Sequence, residues 1–306
     1  MIYLIIIIFL QMILESLPVS SSGHILLAEK FFQTTMPKYF DYFLHGPTIL
    51  ILLIIFYKEW FPLAKCLATS TYNKKMFAKF DSHKKLLKIF LKIITLVAIS
   101  NAITTLIWFI FKFYLEKKEW FGTDIHLLIG FCVTTLFLFL LSFKERQSSH
   151  KSHLTNLNKA TVINSMTVDL NIFAKYLILG IIQGLALFPG ISRFASVYAA
   201  SRFLNFTPKR AFQITFLLEL PLISAGFLLG VYHINKINDQ LSFLLFFAIA
   251  ISTIISAIIF YFVKRLALAN KLHYFFYYMI IPITILVFII LKHFGERELS
   301  RIFSGF

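Results

Sequence analysis

The chain has 306 residues, of which 58% are hydrophobic, 17% aromatic and only 14% charged, with a mean hydropathy of +0.79. A soluble core of this size cannot bury 37 Phe residues, whereas lipid accepts them on an outward face, so the composition excludes a water-soluble globule. The formal net charge of +16 comes from Lys and Arg gathered in short loops, which argues against nucleic acid and for anionic lipid head groups as partners.

In chain order, the N-terminal run from Met1 lacks a basic region and a small-residue cleavage site and is read as mature sequence. The apolar stretch 3–30 is broken by Pro18 and three serines, which predicts two half-helices in a re-entrant hairpin. Full spans are predicted at 43–57, 87–111, 125–142, 211–232, 242–263 and 273–291. A second broken stretch at 176–200 predicts a second hairpin. Cys66 and Cys132 have no ligand-like spacing, which excludes a disulfide framework or an ordinary zinc site.

The Lys-rich loop from Lys58 to Lys92 is placed in the cytoplasm by its positive charge. The balanced loop 115–124 then faces outward, 143–175 inward, 233–240 outward, and Lys264, Arg265 and Lys271 inward. Each half contains a hairpin and three spans, an odd number of crossings, so the second half runs inverted relative to the first. Gln11 to Ser21 (QMILESLPVSS) and Gln183 to Arg193 (QGLALFPGISR) repeat a Gln, an apolar stretch and a Pro followed closely by Ser. The predicted fold is an all-α integral membrane protein with about six transmembrane helices plus two re-entrant helical hairpins in an inverted-topology repeat. One membrane domain covers 1–306: a first half 1–142, a cytoplasmic linker 143–175, a second half 176–292 and a tail 293–306.

The polar residues inside apolar sequence are the candidates for chemistry. Glu15 follows Gln11 by four residues, so both side chains share a helix face and can hold one cation or phosphate oxygen. Pro18 ends the first half-helix, and Ser20, Ser21 and Ser22 can cap the second, whose N–H groups would point at an anion. His24 adds an imidazole able to move protons near neutral pH. In the second hairpin Pro189-Gly190-Ile191-Ser192-Arg193 repeats the design with a guanidinium, which grips phosphate two-pronged or pairs with Glu219. His45, His126 and His233 are lone histidines near span ends and read as interfacial residues.

The set Gln11-x-x-x-Glu15, Pro18-Val-Ser-Ser-Ser-Gly-His24 and Pro189-Gly-Ile-Ser-Arg193 resembles the motifs of the undecaprenyl-diphosphate phosphatase family, over nearly the whole chain. The resemblance implies hydrolysis of the terminal phosphate of a polyprenyl diphosphate in the bacterial cytoplasmic membrane, dependent on a divalent cation, Mg²⁺ or Ca²⁺. Glu15, Ser21, His24 and Arg193 are then the expected catalytic residues. Gln11, Ser20, Ser22, Gln183 and Ser192 are expected at the substrate, and Glu15 and Gln11 at the cation. His24 could take the proton of Ser21 or activate water, and a phosphoserine path and direct hydrolysis both stay open; so does a homodimer. The alternative is a transporter or flippase of the lipid carrier, because an inverted repeat with broken helices is also a transporter architecture. Phe194 and Val197 stand where the family pattern has hydroxyls, and Glu219 where it leads one to expect a small or apolar residue.

Overall fold

The structure is a computed structural model that describes residues 2–35, 38–58, 61, 81–114, 124–154, 170–233 and 243–304. Every regular element among them is helical: α1 Ile2–Glu15, α2 Ser21–Phe32, α3 Lys38–Ile55, α4 Asp81–Tyr114, α5 Asp124–Leu154, α6 Leu170–Leu185, α7 Arg193–Phe203, α8 Pro208–Tyr232, α9 Phe243–Leu268 and α10 Phe275–Ser304, with a 3₁₀ turn at Leu272–Tyr274. Most of the Lys-rich loop, the outward loops at 115–123 and 234–240 and the middle of the linker, 155–169, lie outside the described residues.

Both broken stretches form as expected, and by one local device. Glu15 ends α1 three residues before Pro18, and Ser20 then caps α2 by accepting from Gly23 N at 3.2 Å. Ser192 likewise caps α7, accepting from Ala195 N at 3.1 Å. Each hydroxyl satisfies one of the amide donors that a helix start leaves without an intrahelical partner.

Among the described residues five helices are long and apolar enough to cross a membrane: Leu87–Phe113, Asp124–Arg146, Pro208–Tyr232, Leu245–Leu268 and Leu272–Lys292. The expected span at 43–57 corresponds to α3, whose apolar part, Tyr39–Ile55, is shorter than these. Its first turns carry Asp41, whose Oδ1 is buried, and His45, which lines an interior cavity instead of facing lipid. Two boundaries also differ. Helix α5 runs through the start of the expected linker to Leu154, and α10 continues through the expected tail to Ser304. Hydropathy marks where lipid ends, while the backbone ladder continues into polar sequence wherever nothing breaks it.

The packing exchanges partners between the two groups of helices. Helix α1 lies on α9 as α6 lies on α4; α3 meets α9 as α8 meets α4; α3 and α8 pack on each other, as do α5 and α10. In lipid such contacts depend on close backbone approach and hydroxyl glue more than on apolar burial. Ser256 of α9 donates to Met12 O of α1 at 2.6 Å, and Ser100 of α4 donates to Tyr176 O of α6 at 2.6 Å. At Gly180 a Cβ would meet Ser100 O at 2.6 Å. The largest core gathers Phe194, Phe212, Phe216 and Phe260 between α7, α8 and α9.

Candidate active site

The ends of the two hairpins meet in the interior. Gly190, at φ +87°, lies so close to α2 and α5 that a Cβ on Gly23 would sit 2.9 Å from its Cα and one on Gly130 2.1 Å from Pro189 O. Thr134 of α5 fixes the second turn, donating to Gly190 O at 2.8 Å and accepting from Ser192 N at 2.9 Å. This contact brings the N-termini of α2 and α7 to one cavity of about 510 Å³. Its polar lining includes Glu15, Ser20, Ser21, Ser22, His45, Ser192, Arg193 and Glu219.

Glu15 is the hub. Its Oε2 accepts from Ser21 Oγ at 2.7 Å and from Gln11 Nε2 at 3.4 Å. Its Oε1 lies 3.3 Å from Arg193 Nη2 and 3.5 Å from His45 Nδ1. Arg193 Nη2 in turn lies 3.5 Å from Glu219 Oε1. Arg193 is the sole Lys or Arg among the described residues lining the cavity, and it bridges carboxylates from two helices.

The expected residues thus separate into two groups. Glu15, Ser21 and Arg193 come together, with Gln11, Ser20, Ser22 and Ser192 beside them. Two residues go elsewhere. His24 is buried off the cavity: Nδ1 donates to Ser20 O at 2.6 Å, Nε2 lies 3.2 Å from the Tyr278 hydroxyl, and the ring stacks on Tyr278 with Phe131 at its edge. A ring held on both nitrogens by such partners orients the start of α2, and among the described residues no hydrogen bond joins it to Ser21. Gln183, expected at the substrate, is instead a strut. Its Nε2 donates to Leu218 O at 3.0 Å and its Oε1 accepts from Thr104 at 3.3 Å, tying α6 to α8 and α4.

The structure also adds two groups, and it forms the pairing of Arg193 with Glu219. His45 is not interfacial: it is buried on α3 beside Glu15. Asp41, one turn earlier, has a buried Oδ1 without a hydrogen-bond partner among the described residues. Glu219 faces Arg193. Gln11 Oε1 is a further buried acceptor without a partner.

Chemically, a hydroxyl donating to a buried carboxylate is a nucleophile with its base in place. A guanidinium and two capped helix N-termini around it favour a phosphate.

Comparison with known proteins agrees with this chemistry. The family model described as "Bacitracin resistance protein BacA" matches residues 4–285. A protein of Borrelia recurrentis (strain A1) named undecaprenyl-diphosphatase is 30% identical over 291 residues, covering 92% of this chain and 96% of its own. A protein of the same name from Borrelia hermsii is 30% identical over 286 residues, with the same coverage. One from Treponema denticola is 30% identical over 277 residues, covering 88% of this chain and 90% of its own.

Proposed function

Because the chain belongs to the bacitracin resistance protein BacA family, we propose that this cavity hydrolyses undecaprenyl diphosphate to the monophosphate and inorganic phosphate. The observation that carries the reading is the convergence of Glu15 and Ser21 from one hairpin with Arg193 from the other, at 2.7 Å and 3.3 Å. The protein is a multi-pass membrane enzyme, and the bacterial cytoplasmic membrane, where the lipid carrier is recycled for cell-wall synthesis, is its place.

Arg193 and the N–H groups at the starts of α2 and α7 bind the diphosphate and fix its terminal phosphorus near Ser21. Ser21 Oγ attacks that phosphorus; the bond to the bridging oxygen breaks and undecaprenyl phosphate leaves. Glu15 receives the Ser21 proton, which the 2.7 Å hydrogen bond already points at it. Water then cleaves the phosphoserine, and the proton returns from Glu15 to Ser21. The Ser21–Glu15 contact favours this covalent path over direct water attack. It also disfavours lipid transport, which has no use for a serine–carboxylate pair.

A divalent cation fits this donor set in part. Among the described residues no three His, Cys, Asp or Glu groups could hold a metal. Gln11 Oε1 is, however, a buried acceptor without a partner, one turn from Glu15. Mg²⁺ commonly takes one or two protein ligands and completes its shell with phosphate oxygens and water. Gln11 and Glu15 would hold Mg²⁺ or Ca²⁺ in this way, and the ion would neutralise charge on the diphosphate.

The test is phosphate release from undecaprenyl diphosphate by purified protein in detergent, with and without chelator, for the wild type and Arg193→Lys. A lysine keeps the charge but loses the fork, and activity should fall at least about tenfold. No release by the wild type with Mg²⁺ or Ca²⁺ supplied would refute the phosphatase reading.

A further inference from the structure

The group that must bind the diphosphate is already bound. Arg193 Nη2 lies between Glu15 Oε1 at 3.3 Å and Glu219 Oε1 at 3.5 Å. Glu15 has a second task at Ser21, but among the described residues the Glu219 carboxylate pairs with Arg193 alone. Its side chain is 11% exposed, and its helix is fixed at this point. Gln183 Nε2 donates to Leu218 O at 3.0 Å, one residue earlier. Glu219 is therefore presented to Arg193 by a pinned backbone, from outside both motifs.

We propose that Glu219 is an exchange partner for Arg193, which sets how tightly the site holds phosphate. Carboxylate and phosphate compete for the same guanidinium fork. An anion that takes Arg193 leaves a buried carboxylate without its cation, and that cost is subtracted from the anion's affinity. A diphosphate offsets it with further contacts at the serines and helix N-termini. Inorganic phosphate, once cleaved off, has fewer contacts, so Glu219 recovers Arg193 and product leaves. Glu219 is a positioning residue here, acting through Arg193 without touching the reacting atoms. The inference rests on the phosphatase reading for its meaning, though not for its test.

Isothermal titration with inorganic phosphate, on purified wild type and Glu219→Gln, measures the exchange without turnover. The variant should bind phosphate about tenfold more tightly, the scale of one charge-assisted hydrogen bond no longer competed for. Steady-state kinetics should show a lower KM and stronger inhibition by added phosphate. Unchanged or weaker phosphate affinity, in a variant that melts like the wild type, overturns the proposal. If Glu219→Gln does not fold, Glu219→Asp serves: one methylene shorter, it keeps the charge but reaches Arg193 less well. It should shift phosphate affinity in the same direction by less, and wild-type affinity in this variant overturns the proposal equally. The two readings fail separately. Phosphate binding that responds to Glu219 in a protein without hydrolysis sinks only the phosphatase; hydrolysis with an affinity indifferent to Glu219 sinks only the exchange.

Discussion

Phe194 and Val197 follow Arg193 where hydroxyls were expected, and the structure says what replaced them. The Phe194 ring is 3% exposed and lies 4.8 Å from the Phe216 centroid and 5.8 Å from that of Phe212. Val197, 2% exposed, belongs to a different cluster with Leu96, Val97 and Leu179. Packing has taken over both positions. Phe194→Ser should therefore lose stability on the order of 3 kcal/mol through the cavity it leaves, with no gain in phosphate release. Thermal unfolding in detergent and kinetics on the same sample check this; raised kcat/KM with unchanged melting would contradict it. At this scale the site was legible where a polar residue interrupts apolar sequence, because lipid makes such a residue costly unless it is used. Glu15, Ser21 and Arg193 announced themselves that way. His45 did not, since its partner lies 30 residues away on another helix and no spacing rule connects them; the Glu219 pairing was one of two uses open to Arg193, and the structure forms it. His24 misled for the opposite reason. Its nearness to Ser21 in sequence is real, but its ring is taken up by Ser20 O and the Tyr278 hydroxyl.

Breaks in the helices were readable and their ends were not. Proline and serine at membrane depth signal a turn whose freed amides need a use, so both hairpins could be predicted from sequence. The close contact that joins the hairpins depends on Gly23, Gly130 and Gly190 meeting across three elements, which sequence separation conceals. That contact gives an element-scale prediction. Gly130→Ala would place a methyl 2.1 Å from Pro189 O and 2.8 Å from Gly190 Cα, both backbone atoms that cannot rotate away. Helix α5 or the second hairpin must move, and a displacement of about 1 Å at Arg193 is enough to cost roughly 100-fold in rate. Gly226→Ala is the control. Its Cβ would meet His45 Cδ2 at 3.3 Å and Nε2 at 4.0 Å, both side-chain atoms, so a small ring adjustment absorbs it, and activity should stay within about threefold. Phosphate release by both variants, normalised to folded protein from gel filtration, measures the contrast; equal effects would mean that the hairpin contact does not position Arg193.

Across the described helices, several packing pairs match between the two groups, while the chemistry does not. The helices before residue 155 and those after 169 exchange partners in matching pairs, and Gln11 and Gln183 open equivalent motifs. One became a neighbour of Glu15 and the other a strut between α6, α4 and α8. A repeat supplies two similar turns, and only their differences, a carboxylate in one and a guanidinium in the other, make a site. Another joint between the two groups lies by a second cavity, of about 710 Å³. There Glu145 Oε2 of α5 accepts from His273 N at 3.3 Å and lies 2.5 Å from His273 Nδ1, just before α10. Both residues are buried, at 1% and 8% exposure. Taking the imidazole from a buried carboxylate should be expensive, about 3 kcal/mol, so His273→Ala should lower the unfolding midpoint sharply. Adding Glu145→Gln should restore part of the loss, because a neutral amide tolerates the missing partner better than a carboxylate does. Neither protein should differ from the wild type in kcat per folded molecule, since none of the cavity-lining residues of the proposed active site belongs to this joint. Unfolding midpoints for the single and double variants, with phosphate release on the folded fraction, test both halves of the claim. Additive losses would mean that the pair is not coupled, and a fall in kcat with intact folding would mean that this joint reaches the chemistry after all.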